Sequence, residues 1–489
     1  MKKLLKSIFV LTTSQAAVAV VSVIRNKLLA LLLGPEGIGL FAQLQSLQNL
    51  LANGVPMGMQ LGALKYMSAN RANDKRRLLS TISTSAKAFA LLSALTTVVC
   101  LILAKPISAW SVGNANMYLY VMTAILGVPF MIQTQLWQNY LRAGLEMKEY
   151  SATMVITSLI GLPIVVPLVL LWKQAGAAAH LLIIAIVGYI VAKLYTNRSM
   201  GSELNRRVES ASFDKKLLIN LMRFAAGNFP VFAIDLVVPF IIRVQIIRDM
   251  GLDANGIYQA AFAISSQYLV MPLNAIGIYV FPKISQMADL KQINKEINDA
   301  LKISLLFCTS GILVVLLFRD VFTSLLFSKK FLLAASLMSW QSIGDFLKSI
   351  TMVLQYPMLP LERFRARVVI NLLRNTLFMI VFYLPKTNMR LEGAVWAYAA
   401  SWLFEFIAIY LYTHHTNGFT FTGRNKFLLL TSTSAVAWLA FSNVTDPRWR
   451  LIGACILGLW TATSLNMEDL HKIRETVISK IKGAVNPDD

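Results

Sequence analysis

Charge is scarce in this chain of 489 residues: Asp, Glu, Lys and Arg together make up 14%. A soluble domain carries about 25%. The shortfall, beside 56% hydrophobic residues, excludes a soluble enzyme and a disordered chain alike. Cysteine is nearly absent. Cys100, Cys308 and Cys455 each lie inside an apolar run, so they form no disulfide framework and no metal-binding spacing. The four histidines, His180, His414, His415 and His471, have no partner at ligand spacing, and neither metal nor cofactor is expected. Acidic residues are the scarcer charge, 24 against 46 basic ones, for a net +22. In a soluble protein that balance would suggest nucleic acid. Here the basic residues fall mostly in short segments between apolar runs, so they speak first of membrane orientation, and no nucleic acid partner is expected. Catalytic signatures are missing as well: there is no phosphate loop, no Gly-Xaa-Ser-Xaa-Gly and no zinc-protease helix. No enzyme is expected.

What the chain has is apolar runs of spanning length. They occupy 7–33, 39–67, 81–104, 117–141, 152–172, 176–196, 217–243, 255–282, 300–318, 331–358, 367–384 and 391–413, with two shorter runs at 427–443 and 449–465. Fourteen spans of about 20 residues would use about 57% of the chain. The expectation is an all-α integral membrane protein of 12–14 transmembrane helices, twelve if the last pair only dips into the interface. The first run is longer than a signal-peptide core of about 7–15 residues and no small-residue cleavage site follows, so it reads as a retained span. Segments on the N-terminal side of the membrane carry 26 Lys and Arg and the opposite side 10, which places both termini in the cytoplasm.

The most polar linker, 197–216, precedes a repeat. At an offset near 217, Lys6 aligns with Arg223, Gly34 with Gly251, Gly39-Leu40-Phe41 with Gly256-Ile257-Tyr258, Gly127 with Gly344 and Gln138 with Gln355. Within about a residue, Arg25 aligns with Arg243, Pro56 with Pro272 and Lys65 with Lys283. Six helices per repeat is an even number, so the halves keep one orientation, related by an axis along the membrane normal. The expected units are a six-helix lobe at 1–197, a cytoplasmic linker at 198–216, a second six-helix lobe at 217–414, an extra hairpin at 427–465 and a cytoplasmic tail at 466–489. The tail segment 468–482 is amphipathic and reads as an interfacial anchor or a partner-binding helix.

Ionisable residues inside spans are costly and need a reason. The cationic ones are Arg25, Lys27, Arg223, Arg243, Lys302 and Arg374. Lys65 and Lys193 lie near span ends, where they can snorkel. Arg25, Lys27 and Arg243 read as lining a cavity between the lobes, with an interfacial position as the rival. The embedded acids are Asp235, Asp345 and Glu405. Asp345 and Lys348, three apart on one helix face, can pair, either as a structural contact or as a switch. Prolines at 129, 163, 167, 230, 239, 272 and 357 mark kinks. A cation-rich cavity suits an anion, and Arg and Lys suit phosphate oxygens. Trp137, Tyr140, Trp340, Tyr356, Trp396 and Tyr398 read as an interfacial aromatic belt, with stacking on sugar rings as the alternative.

The Gly-Pro-Glu-Gly-Ile-Gly turn at 34–39 and Gly-Ala-Leu-Lys-Tyr at 62–66 resemble the Wzx-type polysaccharide flippases of the multidrug/oligosaccharidyl-lipid/polysaccharide superfamily. Leu317-Phe318-Arg319-Asp320 and the stretch from Trp340-Gln341 through Gly344-Asp345 to Leu347-Lys348 are similar to the lipid III flippases of enterobacterial common antigen. The resemblance covers roughly 5–415. It implies a V-shaped two-lobe fold in a bacterial inner membrane, working by alternating access, with ion coupling as an option. The implied substrate is an oligosaccharide on a polyprenyl pyrophosphate, carried from the cytoplasmic to the periplasmic leaflet. Lys27, Lys65, Arg142, Arg243, Lys302, Asp345 and Lys348 resemble charged positions of those flippases. The expected pyrophosphate-binding set is therefore Arg25, Lys27, Arg243, Lys65, Arg142, Lys302 and Arg374. The expected gating or coupling set is Asp345, Lys348, Asp235 and Glu405. A monomer suffices, with glycan polymerase and chain-length machinery as further candidate partners. The runs at 427–465 depart from the usual twelve helices, although fourteen occur in the lipid II flippases. The alternative function is a multidrug or cation antiporter of the same superfamily.

Overall fold

The computed structural model describes residues 2–71, 74–201, 213–284, 287, 289–358, 360, 361, 363–384, 391–442 and 446–464. Most of the linker and the whole tail at 466–489 lie outside the described residues, as do the side chains of Asn228, Pro230 and Pro272. The described regular structure is helical throughout. Seven helices among the described residues are long and apolar enough to cross a membrane.

Three of the helices are too long for one crossing. α1 (Lys2–Gly54) has 53 residues, α6 (Met147–Met200) has 54 and α7 (Lys215–Ile284) has 70. At 1.5 Å per residue each exceeds twice the hydrocarbon thickness of about 30 Å. Each is bent at one residue outside helical geometry, so each is two helical arms. The bends are Gly34 (φ 68°), Lys173 (φ 48°) and Gly251 (φ 86°). Glycine meets the left-handed φ at Gly34 and Gly251 without the steric cost of a Cβ. The apolar run 39–67, expected as one span, is broken. α1 ends at Gly54, and α2 (Met59–Asn70) starts after a turn in which Pro56 lacks an N–H and Met57 takes φ 50°.

The remaining helices follow in order. α3 is Lys75–Ile102, α4 Ala104–Ser111, α5 Tyr118–Ala143, α8 Leu290–Leu317, α9 Arg319–Leu326 and α10 Leu333–Gln355. α11 is Phe364–Tyr383, α12 Leu391–Asn417, α13 Gly423–Phe441 and α14 Pro447–Ser464. The bends Gly34 and Gly251 are one offset of 217 apart (251 less 34). The bounds of α6 recur at that offset as the start of α11 and the end of α12. α3, α4 and α5 recur in order as α8, α9 and α10. Even a side-chain contact repeats: Ser199 donates to Glu146, and, 217 residues on, Arg363 donates to Thr416.

The core is divided unequally. At the end of the bundle that carries α4 and α9, here the far end, one apolar cluster joins both repeats. It runs from Leu29 and Phe41 through Val121 to Phe240, Ile264, Met338 and Trp402. At the near end there are two separate clusters. One holds Met67, Ile82, Leu136 and Ala192 of the first repeat, joined by Leu221 and Ala225 at the start of α7. The other holds Leu305, Ile350 and Ile409 of the second repeat with Leu428 and Trp460. Apolar burial therefore fastens the halves together at the far end.

α13 and α14 belong to the second near-end cluster. With 19 and 18 residues they are about 27–28 Å long, close to one crossing in length, but neither is among the seven helices apolar enough to cross. Asn298 of α8 fixes α13: Asn425 Nδ2 donates to the Asn298 carbonyl at 2.8 Å, and the Thr422 N–H donates to Asn298 Oδ1 at 3.0 Å. Arg319 closes the other end, donating to the carbonyls of Ala440 and Ser442 at 3.0 Å each.

Candidate functional site

The far seam is a crossing of α1 on α7, and it is built from the repeated glycines. A Cβ placed on Gly39 would lie 1.9 Å from the Leu252 carbonyl oxygen. One on Gly256 would lie 2.0 Å from the Pro35 oxygen and 3.1 Å from the Gly39 nitrogen. Gly39 and Gly256 are repeat equivalents that meet each other, as residues near a two-fold axis must. Asn255 Nδ2 adds a bond to the Gly39 carbonyl at 2.8 Å. Arg243, 6% exposed, donates to Asn255 Oδ1 at 3.3 Å and to Gln259, with the rings of Tyr258 and Phe262 within 6 Å of its guanidinium. Arg243 thus supports the residue that ties α7 to α1.

The other cations expected to bind substrate are dispersed along the repeats. Lys27 is half-buried and donates to the Ser324 carbonyl of α9 at 2.9 Å, a second tie across the seam. Arg25 is half-buried against the Phe41 ring, and its Nε has no hydrogen-bond partner among the described residues. Lys65 and Arg142 are exposed toward the near end of the first repeat, Arg142 donating to Asn139 Oδ1 at 3.3 Å. Lys302 is half-buried on α8.

Arg374, Asp235 and Glu405 form one network inside the second repeat, with Asp345 held separately beside it. The Arg374 guanidinium sits 2.8 Å from Asp235 Oδ1 and 2.9 Å from Glu405 Oε2, and 4.6 Å over the Trp402 ring. The Glu405 contact is ionic in distance but too bent for a hydrogen bond. Gln355 Nε2 donates to the other Glu405 oxygen at 2.8 Å. Asn371 and Asn375 donate to Asp235 at 3.2 and 3.1 Å. The Lys348 ammonium lies 5.5 Å from the centre of the same Trp402 ring. Asp345 accepts from the Tyr398 hydroxyl at 2.8 Å and from Ser265. The helices α7, α10, α11 and α12 meet here. Glu405 and Asp345 are each 2% exposed, so a carboxylate at either position depends on these partners. At the repeat-equivalent positions, 217 residues earlier, stand Val18 for Asp235, Thr157 for Arg374, Gly188 for Glu405 and Val128 for Asp345. The charged network belongs to one half alone.

The aromatic residues correct the belt expectation for three positions. Trp137, Tyr140 and Tyr398 are buried within the repeats at 5%, 2% and 9% exposure. Trp137 meets the Lys193 ammonium at 3.8 Å and Tyr140 meets the Arg71 guanidinium at 4.2 Å. These rings face cations from neighbouring helices, a stronger use of a ring face than an interface provides. Sequence reasoning missed Gln355, Asn371, Asn375 and Trp402 as members of the network. Only Gln355 carried a signal, its repeat match to Gln138. It also passed over His180, 1% exposed, with neither ring nitrogen hydrogen-bonded among the described residues.

Residues 4–288 match the sequence model of the family described as polysaccharide biosynthesis protein. The lipid III flippase of Escherichia coli K12 is 27% identical over 392 residues, 78% of this chain and 91% of the relative. A putative O-antigen transporter of Shigella flexneri is 22% identical over 66% of this chain and 76% of its own length. Among solved structures, the lipid II flippase MurJ in an inward closed conformation superposes with a TM-score of 0.72 at 11% identity, covering 93% of this chain and 98% of MurJ. An inward-facing multidrug transporter of the MATE family gives 0.69 at 14% identity, over 86% and 96%. These structural likenesses concern the fold.

Proposed function

The chain belongs to the polysaccharide biosynthesis protein family, and on that premise we propose that it is a flippase for an oligosaccharide linked to a polyprenyl pyrophosphate. The observation that carries the reading is the unequal core: one large apolar cluster binds the halves at the far end, while the near end has two clusters, of which the first reaches the second half through Leu221 and Ala225 at the start of α7. Such a body can part along its seam at one end while the other stays shut, which alternating access requires. The working units are the two six-helix lobes, 1–197 and 217–414, with the hairpin 427–465 as an addition to the second. The near end faces the cytoplasm of a bacterium, with both termini there, by the excess of Lys and Arg on that side. The lipid-linked sugar enters from the cytoplasmic leaflet and leaves to the periplasmic one.

Arg25 and Lys27 dock the pyrophosphate, and Arg243 joins them when its bonds to Asn255 and Gln259 open. Lys65, Arg142 and Lys302 form the basic approach to that position. The charged network serves as the gating element. Asp235, Arg374 and Glu405 join α7, α11 and α12, so loss or gain of one charge there changes how those helices pack. Asp345 and Lys348 bias the same equilibrium from α10. A multidrug or cation antiporter shares the fold and is the weaker reading, because the curated relatives are a lipid III flippase and a putative O-antigen transporter. One chain holds both halves of the path, so a monomer suffices, with glycan polymerase and chain-length proteins as downstream partners.

Mass spectrometry of polyprenyl-linked sugars after deletion of the gene tests the reading. Build-up of one pyrophosphate-linked oligosaccharide is expected, reversed by the wild-type gene. Reversal that persists with Arg25→Ala and Lys27→Ala together would remove the docking assignment. No build-up, with surface glycan lost all the same, would remove the flippase.

A further inference from the structure

The near seam is built quite differently from the far one. Where glycines bring backbones into contact at the far end, the near end holds a cavity of ≈ 560 Å³ between the repeats. Its first wall is the turn after α1 together with α3, and its second is the start of α7. Ligand pockets run about 300–1,000 Å³, so the size is that of a site rather than of a packing fault. The lining is apolar apart from Lys87.

Three features give the cavity an amphiphilic order. Met57, held at a left-handed φ of 50° by the break between α1 and α2, presents its side chain to the cavity at 49% exposure. A non-glycine residue kept in that region is strained, and such strain gathers at functional positions. Met57, Met59 and Met222 make the wall unbranched and polarizable, suited to a chain that must slide rather than lock. The depth of the charge is also set. The Asp214 N–H donates to Thr84 Oγ1 at 3.0 Å, placing the start of α7 about a third of the way along α3. Lys87 lies one turn further in from Thr84, and Leu91, 71% exposed, one turn beyond Lys87. Cation first and apolar surface beyond is the pattern an anionic amphiphile fits.

We propose that this near-seam cavity receives the polyprenyl chain of the transported lipid on entry, with Lys87 toward its phosphate end, before the pyrophosphate passes on to Arg25 and Lys27. The inference rests on the flippase reading above. The cavity is walled by both repeats, so its shape changes whenever the seam moves. A chain seated there is held while the near end is open to it and expelled as the walls converge. A phospholipid of the surrounding bilayer would share the same chemistry but has no reason to be held at a moving seam.

The test uses the full chain in nanodiscs and two photoreactive probes, a polyprenyl pyrophosphate and a phospholipid, each with a benzophenone far from its head group. The polyprenyl probe is expected to label α3 and the start of α7, and unlabelled polyprenyl pyrophosphate should suppress that labelling. Leu91→Trp or Met222→Trp should lower it at least tenfold, about the factor for shutting two methylene groups out of an apolar site. Equal labelling by the phospholipid probe, or labelling that unlabelled polyprenyl pyrophosphate leaves unchanged in the wild type, overturns the inference without reliance on any variant. Transport in proteoliposomes separates the two levels. Wild-type protein that flips neither a long-chain nor a short-chain prenyl-linked sugar removes the flippase reading itself. Wild-type protein that flips both, with Leu91→Trp equally active on both, removes only the chain site; selective loss of the long-chain substrate supports it.

Discussion

Replacing Gly256 with alanine should open the far seam. The added Cβ would stand 2.0 Å from the Pro35 oxygen and 2.8 Å from the Pro35 carbonyl carbon. Carbon–oxygen contacts settle at about 3.3 Å or more, so α1 and α7 must part by more than an ångström where they cross. Both obstacles are backbone, so no rotamer change relieves them. Overpacking of this kind costs about 1–3 kcal/mol. The Asn255 bond to the Gly39 carbonyl stretches with the same movement and gives up about 1 kcal/mol more. The closed seam then loses about 2–4 kcal/mol against any state in which the helices are apart, a factor of about 30 to 1,000 in population. A transporter's two states differ by only a few kcal/mol, so the balance inverts. Spin labels at Ala109→Cys on α4 and Arg248→Cys on α7, both exposed positions at the far end, report the seam by pulsed EPR in a chain stripped of Cys100, Cys308 and Cys455. Gly256→Ala should move weight to longer distances. Gly54→Ala, where a Cβ meets nothing within 4 Å, is the control and should leave the distribution alone. If the two variants give the same distances, the glycine crossing does not hold the seam and the argument fails.

Further changes test the rest of the frame. Arg374→Met leaves Glu405 buried without its cation and should destabilise the protein by about 3–5 kcal/mol, and adding Glu405→Gln should recover most of the loss. Thermal unfolding in detergent compares the two, and equal midpoints for single and double variants would contradict the pairing. Asn298→Ala removes the hub that fixes α13, so hydrogen exchange should rise across 423–464 while 118–200 keeps its protection; uniform exchange would mean the hairpin is held by apolar contact alone. Tyr398→Phe takes one donor from Asp345, a bond to a charged group of about 1.5–3 kcal/mol. It should slow transport at unchanged membrane insertion, and unaltered transport would take Asp345 out of the gating set.

The repeat was legible in the sequence because its markers are backbone requirements. A bend with positive φ keeps its glycine in both halves, so Gly34 and Gly251 could be aligned without any knowledge of packing. The structure adds a meaning the alignment could not carry: Gly39 and Gly256 are alike because they touch each other. Residues that lie on a symmetry element face their own equivalents, and a linear alignment contains no axis. The charged network shows the opposite case. Depth within a run marked Asp235, Arg374 and Glu405 singly, because burying any one of them is costly; the structure buries Arg374 and Glu405 but leaves the Asp235 side chain 44% exposed, so that expectation is corrected for Asp235. Which of them meet depends on rotation of α7, α11 and α12 about their own axes, and hydropathy is blind to rotation in helices apolar all round. Hence Asp345 and Lys348 were matched by local spacing, while the hydroxyls that hold Asp345 come from Ser265 and Tyr398, each more than fifty residues away. The break at Val55–Gly58 was visible as Pro56 between two glycines, yet the hydropathy of 39–67 outweighed it. That break puts Met57 into the near-seam cavity. The two seams thus differ in their residues: two glycines bring the backbones together at the far seam, and the turn at Pro56 lines the cavity at the near one.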